Sequence, residues 1–371
     1  MPPTAAPLLQ ALHQEAQARL TPAGLLLTYG DVPGEYRAAR ESVALFDTTE
    51  RGLVQVRGAD AQEFLHRLLA NRVRGLLPGQ GNFNLLLNAK GKVLFGFDLW
   101  MTEAGFELAT APGQAAGLMR ALDMYLFADK VQLADKSAES GALALVGPKA
   151  AELVRALTGG ELPADQWVRS ATWRGGPLTL RRGSQAGSPA LIVDAGRAQA
   201  AELWRALLQL GARPAGRVAE DCLRVEAAQA QHGLDIDDNV YPQEARLESA
   251  FALDKGCYIG QEVVAKIDTY GGLNKRLVLV SIDHDDPLPR GTRLLGHDEE
   301  RGERELGLVT SWAYSFELDR GLAIAYVKRR HQSPGTSFSL QAPSGEALPG
   351  RATLLRPPVR PDGLPVSGEF E

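Results

Sequence analysis

Cysteine is nearly missing: 371 residues carry only Cys222 and Cys257. Two thiols exclude a disulfide framework, and their scarcity fits a reducing compartment. Paired histidines are missing too. His13, His66, His232, His284, His297 and His331 are scattered without zinc-site spacing, so no metal ligands are assigned. No G-x-G-x-x-G turn or phosphate loop occurs. No stretch approaches the ~18 uninterrupted apolar residues of a membrane span. The first seven residues lack the basic start and apolar run of a secretory signal. A net charge of −5 offers no basic field for nucleic acid, although a local basic patch stays open. These absences lead to the expectation of a cytoplasmic protein with no membrane contact and little direct affinity for nucleic acid.

What remains is ordinary globular chain, 44% hydrophobic and 23% charged. Its length suggests two or three domains at ~150 residues each. After a loosely attached helix around residues 8–20, Val54 and Val56 alternate with polar neighbours as in a strand. Asp60 is placed to cap a helix that buries Phe64, Leu65, Leu68 and Leu69. Residues 82–87 read as a strand, 88–91 as a hairpin turn, and Val93, Phe95, Phe97 and Leu99 alternate down the returning strand. A strand at 106–110 and a helix near 114–125 complete an α+β unit on an antiparallel sheet. A second unit follows, with strands at 142–146, 178–181 and 191–193. Its helices are one after Pro148 and one carrying Leu203, Trp204, Leu207 and Leu208, ended by Gly211.

A short helix from Arg217 leads into about forty irregular residues. Such a segment is unusual in a compact domain unless it lines a site. Beyond Arg276, short strands at 277–281, 306–310, 322–327, 337–340 and 352–355 suggest a small antiparallel barrel or jelly roll. The tail after Pro357 reads as mobile.

Within the irregular stretch, residues 254–263 run Asp-Lys-Gly-Cys-Tyr-Ile-Gly-Gln-Glu-Val. A cation beside a thiol favours the thiolate and makes the sulfur a better nucleophile or ligand. Glycines on either side permit a sharp turn or a close approach. A tight turn around a packed cysteine accounts for the same residues.

The string Lys255-Gly256-Cys257-Tyr258-Ile259-Gly260-Gln261-Glu262 resembles the signature of YgfZ-type folate-binding proteins. These are relatives of the glycine-cleavage T-protein, an aminomethyltransferase. Other segments are similar to T-protein in the same order: Leu45-Phe46-Asp47, Arg57-Gly58-Ala59-Asp60, Leu87–Gly91, Pro214-Ala215-Gly216, Leu223–Ala227, Gly233–Ile236 and Pro242–Ala245. The resemblance spans roughly residues 30 to 330. It implies an α+β fold with two antiparallel-sheet domains and a C-terminal β-barrel or jelly roll around a central folate-sized hole. The domains would span 30–140, 141–272 and 273–358, with 1–29 and 359–371 peripheral.

Two departures stand out. The T-protein hairpin strand carries an aspartate pair, and its second member is thought to position the reactive folate nitrogen. Here the pair is Phe95 and Gly96, with Asp98 two residues late, about 7 Å along the strand. An acid must lie within hydrogen-bond reach of its proton partner, so aminomethyl transfer is disfavoured. The other departure is Cys257, where T-proteins usually carry aspartate.

The resemblance implies tetrahydrofolate, or a derivative, as cofactor. It points to Glu226 as the pterin reader, since a carboxylate accepts two parallel N–H bonds from an aminopyrimidine edge. Asn88, Arg224 and Tyr258 are further folate-binding candidates, although Asn88 also suits plain turn chemistry. Lys255, Lys266, Lys275 and Arg276 offer a cationic rim for a folate tail; a solvated charged surface explains each singly.

Cys257, assisted by Lys255, is the candidate functional thiol. It is open to three roles: redox or persulfide nucleophile, transient iron–sulfur ligand, or packed residue. One thiol cannot hold a cluster, which typically takes four ligands. Cys222, in an apolar helix stripe, reads as inert. The resemblance thus implies an accessory protein that supports assembly or maintenance of iron–sulfur enzymes, tRNA-modifying radical enzymes among them. Those enzymes are the expected partners. The rival is a folate-dependent aminomethyl or methyl transferase.

Overall fold

The computed structural model describes residues 8–160, 162–163, 166–298 and 302–355. The tail beyond Pro357 lies outside them. The chain forms two compact units: Met1–Leu85 with Phe95–Glu220, and Leu86–Leu94 with Asp221–Glu371.

The first unit carries two sheets. One is five-stranded, in the order Gly81–Leu87, Val93–Thr102, Gly105–Thr110, Gly52–Arg57 and Gln132–Asp135. Alternation places Val54, Val56, Leu85, Phe97 and Leu99 in the core, beside Phe64, Leu65 and Leu68 of the helix Ala61–Leu68. Asp60 occupies the N-cap position but makes no side-chain cap; its carboxylate accepts from the Lys130 backbone N–H at 2.7 Å. Tertiary pairing wins over local capping there.

The other sheet runs Val168–Trp173, Gly176–Gln185, Ser188–Asp194, Leu143–Val146, Ala44–Asp47 and Arg213–Ala215. Ala44–Asp47, nearly a hundred residues upstream of Leu143, pairs antiparallel with it and parallel with Arg213–Ala215. Leu45, Leu143, Leu145, Leu180, Val193, Leu203, Trp204 and Leu207 fill the core between this sheet and its helices. The N-terminal helix, Gln10–Glu15, is not loose. Leu9 and His13 are buried, and His13 Nε2 lies 2.9 Å from Asp47 Oδ2.

The second unit is built on a closed six-stranded barrel, ordered Lys275–Ile282, Arg320–Lys328, Gly302–Ser315, Arg293–Asp298, Ser337–Gln341 and Ala347–Leu354. Closure leaves no edge unpaired. Val278, Val280, Ile282, Val309, Ala325, Val327, Phe338 and Leu340 fill the interior. Arg293–Asp298 is a strand the sequence pattern did not expose, and Gly302–Ser315 is far longer than its apolar centre. Ahead of the barrel lie the helix Arg217–Glu226, the irregular stretch and the helix Gln261–Tyr270.

Candidate functional site

The six residues assigned from the sequence to the thiol chemistry or to folate, Asn88, Arg224, Glu226, Lys255, Cys257 and Tyr258, fall in the second unit, in two groups. The first gathers around the hairpin tip. Asn88 Oδ1 accepts from the backbone N–H groups of Lys90 (2.9 Å) and Lys92 (3.0 Å), so its side chain closes the turn. The irregular stretch then wraps this tip: Val93 N–H donates to Val240 O at 3.0 Å, Lys92 Nζ to Asn239 O at 2.7 Å, and His232 Nε2 lies 2.8 Å from Leu94 O.

The cysteine bend is pressed onto the same turn. Gly260 has φ of +78°, and a Cβ there would sit 2.5 Å from Asn88 O and 2.8 Å from Gly91 Cα. Gly91, at φ of +73°, would in turn place a Cβ 3.0 Å from that of Val263. Only glycine fits both sides of this contact. Gly260 then starts the helix Gln261–Tyr270, where the sequence pattern predicts irregular chain. Cys257, just before it, is exposed. Lys255 is buried with its ammonium 5.1 Å from the centroid of the Tyr258 ring, a cation–π arrangement. The Tyr258 hydroxyl is buried without a hydrogen-bond partner. Burial first, and then Asp268, pushes its pKa up to about 12, so it stays a neutral donor.

The second group sits at the end of the helix Arg217–Glu226. Arg224 is buried and fully engaged: Nη1 donates to Asp235 Oδ2 (2.7 Å) and Gln229 O (3.0 Å), Nη2 to Ser311 Oγ (2.9 Å), and Nε to Asp221 Oδ1 (3.3 Å). Asp235 saturates its own carboxylate. Oδ2 also accepts from Gln231 N–H (2.9 Å), and Oδ1 accepts from the hydroxyls of Thr310 (2.5 Å) and Ser311 (2.7 Å).

Consecutive strand residues ordinarily face opposite ways. Here the register shifts between Val309 and Ser311, leaving Thr310 as the extra residue of a bulge, and both hydroxyls reach one carboxylate. Glu226, fully buried, accepts from Ser315 Oγ (2.8 Å) and Glu317 N–H (3.2 Å) through Oε1. Its carboxylate is thereby held in a fixed orientation, and a carboxylate can take about four hydrogen bonds. Cys222, one turn earlier, is buried, and burial raises its thiol to about 12. It is a poor nucleophile there.

Lys92 was missed from the sequence. Its ammonium lies 3.2 Å from the Tyr241 ring centroid and 3.9 Å from Glu244 Oε2, and burial lowers its pKa. Lys275, expected on a cationic rim, instead lies 5.0 Å from the Tyr326 ring centroid. Lys266 pairs with Glu262 at 2.6 Å, and Arg276 pairs with Glu248 at 2.5 Å. The spacing of a lysine next to a turn gave no signal for a cation–aromatic contact with a residue 149 positions away (241 − 92).

Two family descriptions match this chain in succession. Residues 28–255 match the GCVT N-terminal domain, and residues 275–359 match the glycine cleavage T-protein C-terminal barrel domain. The chain belongs to the glycine cleavage T-protein family. An aminomethyltransferase of Symbiobacterium thermophilum is 30% identical over 370 residues, covering 92% of this chain and 94% of that protein. One from Chlorobium limicola is 28% identical, covering 90% and 94%. A putative chloroplastic transferase of Arabidopsis thaliana is 25% identical, covering 83% of this chain and 69% of its own. The crystal structure of aminomethyltransferase T from Bartonella henselae superposes with a TM-score of 0.81 at 25% identity, covering 95% of this chain and 97% of that one.

The departure expected from the sequence lies on the strand Val93–Thr102, whose residues from Phe95 onward belong to the first unit. The positions expected to be acidic are Phe95 and Gly96. Asp98 is buried with Oδ2 3.1 Å from Arg51 Nη2, and burial, opposed by Arg51, raises its pKa. Among the described residues, no group of three or more His, Cys, Asp or Glu side chains is placed to hold a metal. No helix among them is long and apolar enough to cross a membrane.

Proposed function

We propose that this T-protein relative binds tetrahydrofolate, or a derivative, as an accessory protein for iron–sulfur enzymes, including tRNA-modifying radical enzymes. In this reading Glu226 reads the aminopyrimidine edge of the pterin, its orientation fixed by Ser315 and Glu317. Arg224 is a positioning residue that ties the end of its helix to the barrel strand through Asp235 and Ser311. Asn88 shapes the turn, and Tyr258 supplies a neutral hydroxyl. Cys257 is the working thiol, with the Lys255 ammonium against the neighbouring Tyr258 ring. When bound, the folate would supply a one-carbon carrier; the chain's own residues bind and orient it.

The observation that carries this reading is the pairing of an exposed Cys257 with a strand whose acid positions are Phe95 and Gly96. Titration of tetrahydrofolate followed by tryptophan fluorescence tests the binding step. Saturable binding is expected, with Glu226→Gln weakening it about tenfold or more, the loss of one charge-assisted pair. Binding unchanged by Glu226→Gln removes that residue from the site.

The names of the relatives favour a second reading, folate-dependent aminomethyl transfer. In that reaction an aminomethyl thioether gives its methylene carbon to tetrahydrofolate. Its C–S and C–N bonds break, and the two folate N–H protons end on the sulfur and on ammonia. Ammonia release from such a donor, dependent on folate, decides between the readings: the accessory role expects none.

A further inference from the structure

Gly96 lies inside the strand Val93–Thr102, and its backbone φ is not in the left-handed region. Any residue could take that conformation, so the absence of a side chain has to be explained by space. A Cβ at this position would sit 3.1 Å from Phe83 Cζ, 3.6 Å from Phe83 Cε1 and 3.3 Å from Leu85 Cδ2. Carbon atoms in contact rest about 3.5–4.0 Å apart. Leu85 is fully buried and has nowhere to go, whereas Phe83 is 36% exposed. The ring of Phe83 therefore lies across the glycine as a lid on one strand over a gap in the next, an aromatic covering a neighbouring strand's glycine. Phe95 makes a similarly close contact with a helix rather than a strand: its Cζ and Cε1 would lie 3.2 and 3.3 Å from a Cβ on Gly117, in the helix Ala115–Asp123.

We propose that Phe83 is the specificity-determining residue of this strand, because its ring fills the space a carboxylate side chain at position 96 needs. The inference rests on the accessory reading and deepens it. Replacing Gly96 by an acid is not enough to rebuild a proton-handling strand. The new carboxylate would be forced under an aromatic ring and against Leu85, where a charge is costly.

The test is a double-mutant cycle on the full chain, read by thermal unfolding. Glycine to alanine in a strand normally stabilises when φ is ordinary and space is open. Gly96→Ala is expected to lower the midpoint instead, and Gly96→Asp to lower it by about 3–6 °C. In a Phe83→Ala background the Gly96→Asp loss should fall by half or more, and the Gly96→Ala loss should shrink to what the remaining Leu85 contact at 3.3 Å imposes. An unchanged loss in that background overturns the steric assignment.

The second readout is folate-dependent ammonia release from an aminomethyl thioether. Phe83→Ala with Gly96→Asp should exceed Gly96→Asp alone by at least tenfold. A folded double variant that binds folate yet releases no more ammonia than the single variant overturns the specificity claim. Ammonia release by the unaltered chain sinks the accessory reading, while the melting cycle still reports on Phe83 separately.

Discussion

Gly256 and Gly260 flank the same bend, yet a methyl group would meet different surroundings at each. Both have positive φ, +102° and +78°, but nothing lies within 4 Å of a Cβ on Gly256, whereas Asn88 O is 2.5 Å from one on Gly260. Gly256→Ala should therefore cost only the conformational penalty, about 1–2 kcal/mol. Gly260→Ala adds a backbone collision that no rotamer relieves, and should cost at least about twice as much. Denaturant unfolding of the two variants measures the difference; equal losses would mean that the contact with the turn is not tight.

Asp98 gives a second residue-scale prediction. Its folded-state pKa is raised, chiefly by burial. An acid with a raised folded pKa contributes stability below its unfolded pKa of about 3.9, and that contribution is lost as pH rises through the folded value. Asp98→Asn removes the titration. Its unfolding free energy should fall less than that of the unaltered chain as pH is raised from about 4 through that window. Parallel pH profiles would show that Asp98 does not titrate abnormally.

At the scale of elements, the bulge at Thr310 matters more than any single strand's length. It aims two neighbouring hydroxyls at Asp235 and thereby fixes the helix end that carries Arg224 and Glu226. Asp235→Ala would leave the Arg224 guanidinium buried without its principal counter-charge, so a loss of about 3–5 kcal/mol in urea unfolding is expected. Asp235→Asn should lose less, because its single amide oxygen can still accept from the two hydroxyls that Oδ1 now serves.

None of this was legible in the sequence. The pattern Leu306–Thr310 announced a strand through its apolar alternation, but a bulge is one extra residue and leaves alternation nearly intact. The helix Gln261–Tyr270 was missed for a related reason. Val264 is its only buried residue, so it has no apolar stripe to read. Strong periodicity, by contrast, located the helix around Phe64 and the one around Leu203 to within a few residues. Among the candidate site residues, the two glycines around Cys257 were visible as a motif. The physical partner of Gly260, the Asn88–Gly91 turn, lies about 170 positions away and could be found only once the chain had folded.

At the scale of the molecule, sequence order and spatial order diverge most at Ala44–Asp47. Contiguous reading assigns these residues to a domain of residues 30–140, because the chain passes straight from them into the five-stranded sheet. The structure places them between Leu143–Val146 and Arg213–Ala215, as an inner strand of the other sheet. Leu45 is fully buried there, in the same core as Leu145 and Trp204.

A fragment of residues 141–220 would consequently lack the strand that joins two of its others. It would also expose the apolar face that Val43 and Leu45 cover. Such a fragment should fail to fold alone, giving neither a cooperative melt nor dispersed amide resonances. Supplying a peptide of residues 40–50 should restore structure in proportion to its concentration, since binding linked to folding follows mass action. A fragment that folds cooperatively without the peptide would mean that the Ala44–Asp47 pairing is dispensable, and that the sheet closes directly between Leu143–Val146 and Arg213–Ala215.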